Sequence, residues 1–208
     1  KFIDSAAEEM DVALIKAAFS PGIKERADCS SAIFTPDGQL TAQETHAALH
    51  LGALSILAQE IRQRHGKAAF HPGDVYMTND PYTGGGSHLN DLALMAPVFH
   101  KNRIVALVGN VAHHSDVGGA VAGSEYALSK SIFQDGVRIP PVHLARAGVV
   151  DPDMVDFFVH NTRLPDERRG DIRAHLGAIN IGIRRVQEIV ERYGARVFEH
   201  AMTDLLSY

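Results

Sequence analysis

Apolar residues along this chain recur at two periods, and the switches between them outline the fold. Near the N-terminus Met10, Leu14 and Ala17-Ala18 recur every three or four residues. That spacing predicts a helix over residues 4 to 19, with Ser5 and Glu8 as a capping box and Ser20-Pro21-Gly22 at its end. Cys29 to Thr35, the turn Pro36-Asp37-Gly38 and Gln39 to Ala42 read as a short hairpin. Leu49, Leu54, Ile56-Leu57 and Ile61 predict a second helix over residues 47 to 65, stopped by Gly66. His71-Pro72-Gly73 turns the chain into a short strand, Asp74 to Thr78. The most apolar stretch, Leu92 to Val111, is broken once, at turn-prone His100-Lys101-Asn102, and reads as a long β-hairpin. Residues 131 to 150 alternate short apolar pieces with turns, and Pro140-Pro141 excludes a helix there. Asp151-Pro152 opens a helix to about His160, with Met154-Val155 and Phe157-Phe158-Val159 inward. Pro165 opens the longest helix, to about Tyr193. Its stripe of Ile172, Leu176, Ile179, Ile183, Val186 and Val190 keeps three–four spacing and predicts core packing. Gly194 ends it, and an amphipathic segment runs on to about Leu206.

These elements predict an α/β or α+β fold: two or more hairpin-built mixed sheets flanked by helices, with the long helix near the C-terminus. With 208 residues, 45% of them hydrophobic, and no repeat, linker or low-complexity run, the chain reads as a single domain over residues 1 to 208. A formal net charge of −5 argues against nucleic-acid binding. No apolar run approaches membrane-spanning length and no signal peptide is visible, so a cytoplasmic protein without membrane contact is expected. A lone Cys29 excludes an intrachain disulfide framework.

The chemistry gathers at the two ends of the long hairpin. His88-Leu89-Asn90-Asp91 precedes it and His113-His114-Ser115-Asp116 follows it. A hairpin sets the start of its first strand beside the end of its second, so the two clusters become neighbours. Two imidazoles and a carboxylate, from His88, Asp91 and His113, suit a borderline divalent ion such as Zn²⁺, Mn²⁺ or Fe²⁺ and leave a coordination position open. Adjacent residues of a strand face opposite sides, which leaves His114, with Asp116, to orient the ligands from behind. Spacing alone leaves open the plainer reading of hydrogen-bonded or surface imidazoles. His46 and His50, four apart at the start of the second helix, share a face there; they line the site, or they cap and pack. The glycines Gly84 to Gly86 allow close approach of backbone N–H groups to a ligand, or merely deliver His88 and Asp91 on a turn. They form neither a Walker loop nor a dinucleotide fingerprint. Lys24, Arg26 and Asp28 are charges that approach the site or stay solvated. The loop from Gly118-Gly119 to Ser124 suits a substrate channel, and nothing singles out Ser124-Glu125. His175, beside the long-helix stripe, reads as structural. Arg168-Arg169 and Arg184-Arg185 read as solvated faces or subunit contacts.

Several runs in order along nearly the whole chain carry a resemblance. They are Ser20-Pro21 with Lys24-Glu25-Arg26, Asp37-Gly38, His46 with His50-Leu51-Gly52, Pro72-Gly73-Asp74-Val75 and Asn79-Asp80-Pro81-Tyr82. The glycines Gly84 to Gly86, the two histidine clusters with Val117-Gly118-Gly119, Gln134 to Pro141, and Arg163 to Asp171 complete the set. Together they resemble the hydantoinase B/oxoprolinase family, which includes the α subunits of acetone and acetophenone carboxylases. The resemblance implies a divalent metal, Zn²⁺ or Mn²⁺, on His88, Asp91 and His113, with proton transfer by His114 or Asp116 and substrate contacts from Gly85, Gly86, His46 and His50. It implies a metal-dependent subunit, of which this chain is the N-terminal part, in an ATP-dependent hydrolase of cyclic amides such as hydantoins, 5-oxoproline or related lactams. ATP and Mg²⁺ belong to a hydantoinase A-type partner in a hetero-oligomer, which would phosphorylate the amide oxygen before water, activated by the ion, adds to the carbon. The same architecture also fits the α subunit of a ketone carboxylase, and a third possibility is a non-catalytic subunit in which these residues only fold the hairpin.

Overall fold

A computed structural model describes residues 1–45, 50, 52–66, 69–84 and 86–206. Its centre is the long hairpin, β4 (Asp91–His100) and β5 (Arg103–His113). Lys101 and Asn102 both adopt positive φ, 48° and 61°, in a two-residue connection whose handedness matches strand twist. The turn sets the register, which runs from His100 opposite Arg103 to Asp91 opposite His113, with one irregularity between Val98 and Phe99. Both hairpin edges still carry unpaired backbone groups, and both find antiparallel partners. β1 (Cys29–Phe34) pairs with β5, and β3 (Val75–Thr78) pairs with β4. β2 (Leu40–Thr45) extends one side, β6 (Val142–Arg146) and β7 (Val149–Val150) the other.

The α+β expectation holds, with a correction to the sheets. The hairpins merge into one seven-stranded sheet, ordered β2-β1-β5-β4-β3-β6-β7, and every pair is antiparallel. Both faces are covered, which explains why the central strands lack polar alternation. On one face Leu92, Leu94, Ala96 and Val98 meet α1 (Phe2–Ala17), α4 (Pro152–His160) and the 29-residue α5 (Pro165–Tyr193). On the other Ala93, Met95, Leu107 and Val111 pack under α3 (Ala53–His65).

Local signals placed most helix ends. Asp151 caps α4 by accepting from the Asp153 and Met154 backbone N–H groups at 3.0 and 3.2 Å. Pro165 and Gly194 bound α5, and α6 (Ala195–Leu205) follows. Four expectations need correction. First, α1 begins at Phe2 with no side-chain cap, so Ser5 lies inside the helix and forms no capping box. Second, Ser20-Pro21-Gly22 opens a further turn of helix, α2 (Pro21–Lys24). Third, α3 starts only at Ala53, because Gly52 at φ 83° breaks the chain's path, so His50 precedes the helix; residues 46–49 lie outside the described residues. Fourth, Phe157 points outward, 53% exposed, while Val155, Phe158 and Val159 face the core.

Candidate metal centre

The open end of the β4–β5 hairpin positions three donor atoms. Asp91 and His113 are register partners, and a turn closed by the Asp91 N–H donating to the His88 carbonyl (3.2 Å) brings His88 alongside. His88 Nε2 lies 3.0 Å from Asp91 Oδ1, and His113 Nδ1 lies 3.2 Å from His88 Nε2 and 3.7 Å from Asp91 Oδ1. All three donors fall within 4.8 Å of one another. They face a cleft of about 410 Å³ that is also lined by Arg26, Asp28, His50, Ser115, Gly123 and Glu125. Asp91 is buried, while both imidazoles remain partly open to the cleft. Two borderline nitrogen donors and one carboxylate, with open space in front, fit Zn²⁺ or Mn²⁺.

The electrostatics agree with a cation position. Burial works to raise the pKa of Asp91, but the imidazoles of His113, His50 and His88 and the Ser87 hydroxyl outweigh it and hold the carboxylate far below its usual range. Ser87 Oγ donates to Asp91 Oδ2 at 2.7 Å. The hydrogen bond to Asp91 raises the pKa of His88 against the opposing effect of burial. A proton thus sits where a divalent ion would be shared.

His50 also reaches the site. It is 3% exposed, and its Nε2 lies 3.8 Å from Asp91 Oδ1 and 3.9 Å from Asp28 Oδ1. Ser30 Oγ donates to the Cys29 carbonyl, so it accepts from His50 Nδ1 (3.0 Å), which turns Nε2 toward the two carboxylates. Arg26 and Asp28 line the cleft as well, delivered by a sharp turn at Ala27 (φ 53°). His46 and Gly85 lie outside the described residues. Gly86 stands in the turn before His88 with room for a Cβ, whose closest neighbours would be the Asp91 and His88 carbonyls at 3.5 Å, so no close approach demands glycine there.

The two residues expected to move protons face elsewhere. His114 points to the opposite side of its strand, fully buried, with its ring stacked on His175 at 5.3 Å and edge-on to Phe158 at 5.8 Å. Asn110 Nδ2 donates to the His175 carbonyl, so Asn110 Oδ1 accepts from His175 Nδ1 at 2.7 Å. His175 Nε2 then accepts from His114 Nε2 at 3.1 Å. That leaves His114 Nδ1 without a hydrogen-bond partner among the described residues. Burial, reinforced by Arg168, pushes the pKa of His114 down, and burial lowers that of His175 to about 4. The pair is a neutral link between β5 and α5. Asp116 is equally committed: Oδ1 accepts from the Gly118 and Arg163 N–H groups, Oδ2 from the Gly123 N–H and from Arg163 Nη1 at 2.7 Å. Against the cost of burial, Arg163 and these N–H groups hold its pKa low. It closes the loop after β5 and does not enter the cleft.

Two features escaped the sequence pattern. Arg168, expected on a solvated face, is fully buried. It pairs with Glu167 and with Asp171 (3.0 Å) and donates to Ser115 Oγ (2.9 Å), so its charge is neutralised where it lies. Asp171 in turn accepts from the Phe19 and Ser20 N–H groups, tying α5 to the segment that forms the cleft wall. The second feature is Glu125, whose carboxylate stands at the mouth of the site beside His88 and His113. No periodicity marks it, and only the folding of the loop brings it there.

Comparison with known proteins agrees with this arrangement. The chain is 35% identical over 200 residues to 5-oxoprolinase 1 of Arabidopsis thaliana, covering 90% of this chain and 16% of that protein. The crystal structure of ATP-dependent caprolactamase from Pseudomonas jessenii superposes with a TM-score of 0.89 at 30% identity, over 98% of this chain and 35% of that one. Nucleotide-free acetone carboxylase superposes with a TM-score of 0.88 at 17% identity, over 97% and 27%, a likeness of fold. The chain thus spans only a minor part of the length of the proteins it matches. The profile of the hydantoinase B/oxoprolinase family matches residues 1–208 throughout, and the chain belongs to that family.

Proposed function

We propose that this chain is the metal-binding part of a subunit that opens cyclic amides together with an ATP-binding, hydantoinase A-type partner. The observation that carries this reading is the convergence of His88 Nε2, Asp91 Oδ1 and His113 Nδ1 on one accessible cleft. The names of relatives, 5-oxoprolinase and caprolactamase subunit beta, support a hydantoin, 5-oxoproline or related lactam as substrate.

An unstrained amide resists water, and ATP-dependent phosphorylation of its oxygen on the partner would make the carbon electrophilic. A Zn²⁺ or Mn²⁺ ion in the cleft would supply Lewis acidity to the attacking water or to the carbonyl oxygen. The chain's own residues do the rest. His88 and His113 present nitrogen donors at the mouth, and Asp91, fixed by Ser87, supplies a buried negative charge beneath them. His50 and Asp28 bound the floor on one side. Arg26, exposed on the cleft wall, offers a cation to an anionic substrate group. No glycine loop followed by Lys-Ser/Thr occurs in the chain, so nucleotide binding is assigned to the partner.

Co-purification with the partner and ATP-dependent turnover of hydantoin, 5-oxoproline and caprolactam tests the proposal. Ring opening that needs ATP and both subunits, and that disappears in His88→Ala and Asp91→Ala, is the expected result. ATP-dependent carboxylation of small ketones in place of ring opening would redirect it to the carboxylase branch. Full turnover in both variants would reduce this chain to a folding role.

A further inference from the structure

We propose that Glu125 is a positioning residue that sets the ring tautomers of His88 and His113 and thereby turns one nitrogen of each toward the cation. This rests on the metal-site reading above and adds a residue to it.

The geometry is symmetrical. His88 Nε2 and His113 Nδ1 face inward, toward each other and Asp91. Their outer nitrogens, His88 Nδ1 and His113 Nε2, lie 4.0 and 3.9 Å from the same Glu125 oxygen, Oε1. An imidazole offers a lone pair to a metal on one nitrogen only when its proton is on the other. An ionised carboxylate accepts and never donates. It therefore favours N–H on both outer nitrogens and frees both inner lone pairs. Carboxylates commonly orient metal-ligating histidines in this way, and the distances leave room for a bridging water or a small side-chain adjustment.

Glu125 is held where it can do this. Gly123 and Ser124 take consecutive positive φ values, 85° and 54°, the second uncommon for a residue with a side chain. Ser124 Oγ accepts from the Val117 N–H (2.8 Å) and donates to the Gly118 carbonyl (2.7 Å). The Gly123 N–H donates to Asp116, and its carbonyl accepts from Asn90 Nδ2 at 3.1 Å. Asn90 lies between two of the ligands and Asp116 three residues past the third, so the segments that carry the ligands also clamp the loop that carries Glu125. The carboxylate has no other partner among the described residues, and its side chain is 64% exposed. Burial gives it no part in the core.

The test compares wild type with Glu125→Ala and Glu125→Gln, stripped of metal and titrated with Zn²⁺ against a chromophoric chelator. Glu125→Ala should weaken Zn²⁺ binding about 10–100-fold. Glu125→Gln, which keeps an acceptor oxygen, should lose less, and the thermal midpoint of the metal-free protein should not move in either. In ¹⁵N-histidine spectra of the loaded protein, the outer N–H protons of His88 and His113 should shift upfield and exchange faster in Glu125→Ala. Unchanged affinity with unmoved N–H resonances would overturn the role of Glu125 alone. Failure of the wild type to bind Zn²⁺ at all would overturn the metal site and this role with it.

Discussion

Replacing His114 by alanine separates a folding role from a catalytic one. Its ring is fully buried between His175 and Phe158, and truncating a buried ring costs about 3–5 kcal/mol. Two smaller effects nearly cancel. The substitution removes a buried Nδ1 that lacks a partner, but it strips His175 Nε2 of its donor. Each such change is worth about 1–3 kcal/mol, with opposite signs. For a chain of this length each kcal/mol moves the melting temperature by about 2–4 °C, so a fall of roughly 6–20 °C is expected. His113→Ala should behave oppositely, because its ring sits partly open at the cleft and contributes little packing. Thermal unfolding of the metal-free variants, with metal content after dialysis, gives both readings. His114→Ala should lose stability and keep metal; His113→Ala should lose metal with a smaller change in stability. A His114→Ala protein as stable as wild type but lacking metal or turnover would refute the reasoning and return His114 to the cleft.

Acid should weaken the metal-free fold through His175. Its folded pKa of about 4 lies below its ordinary value of 6.5, so the stability it contributes is complete above pH 6.5 and is lost as pH falls toward 4, on the order of 3 kcal/mol in all. Urea unfolding across that range should show a shallower decline in His175→Gln; identical slopes would count against it. Gly119→Ala forces a Cβ onto a φ of 84° and to within 2.5–2.7 Å of the Gln134 carbonyl oxygen and the Asp135 backbone, which should cost more than ~1 kcal/mol and loosen the loop bearing Glu125. A variant with wild-type denaturant midpoint and metal affinity would contradict that. Cys29, whose thiol is pushed up by burial and by the neighbouring Asp11 carboxylate, should resist alkylation at pH 8 until the protein is denatured, and rapid labelling of the native protein would exclude such burial.

What could be read from sequence follows a physical division. The ends of α4 and α5 were legible because Asp151-Pro152, Pro165 and Gly194 act locally. The metal triad was legible because a two-residue turn at Lys101-Asn102 fixes register over the whole hairpin, and with it the pairing of Asp91 and His113. The merging of hairpins into one sheet was not, since strand pairing across long separations leaves no local trace. Alternation along β5 correctly separated His113 from His114, yet the chemistry assigned to His114 and Asp116 depended on partners from α5 and Arg163 that spacing does not reveal. His50 reached the site before the helix starts, not on its face. Arg168 looked solvated because its neutralising carboxylates come from its own helix, where charged pairs usually face water.

Metal content is the most direct test of the central claim. Freshly purified protein, kept free of chelators, should carry close to one Zn²⁺ or Mn²⁺ per chain by elemental analysis, and His88→Ala or Asp91→Ala should remove it. Wild-type protein that contains no divalent metal and takes none up on titration would contradict a metal centre on His88, Asp91 and His113.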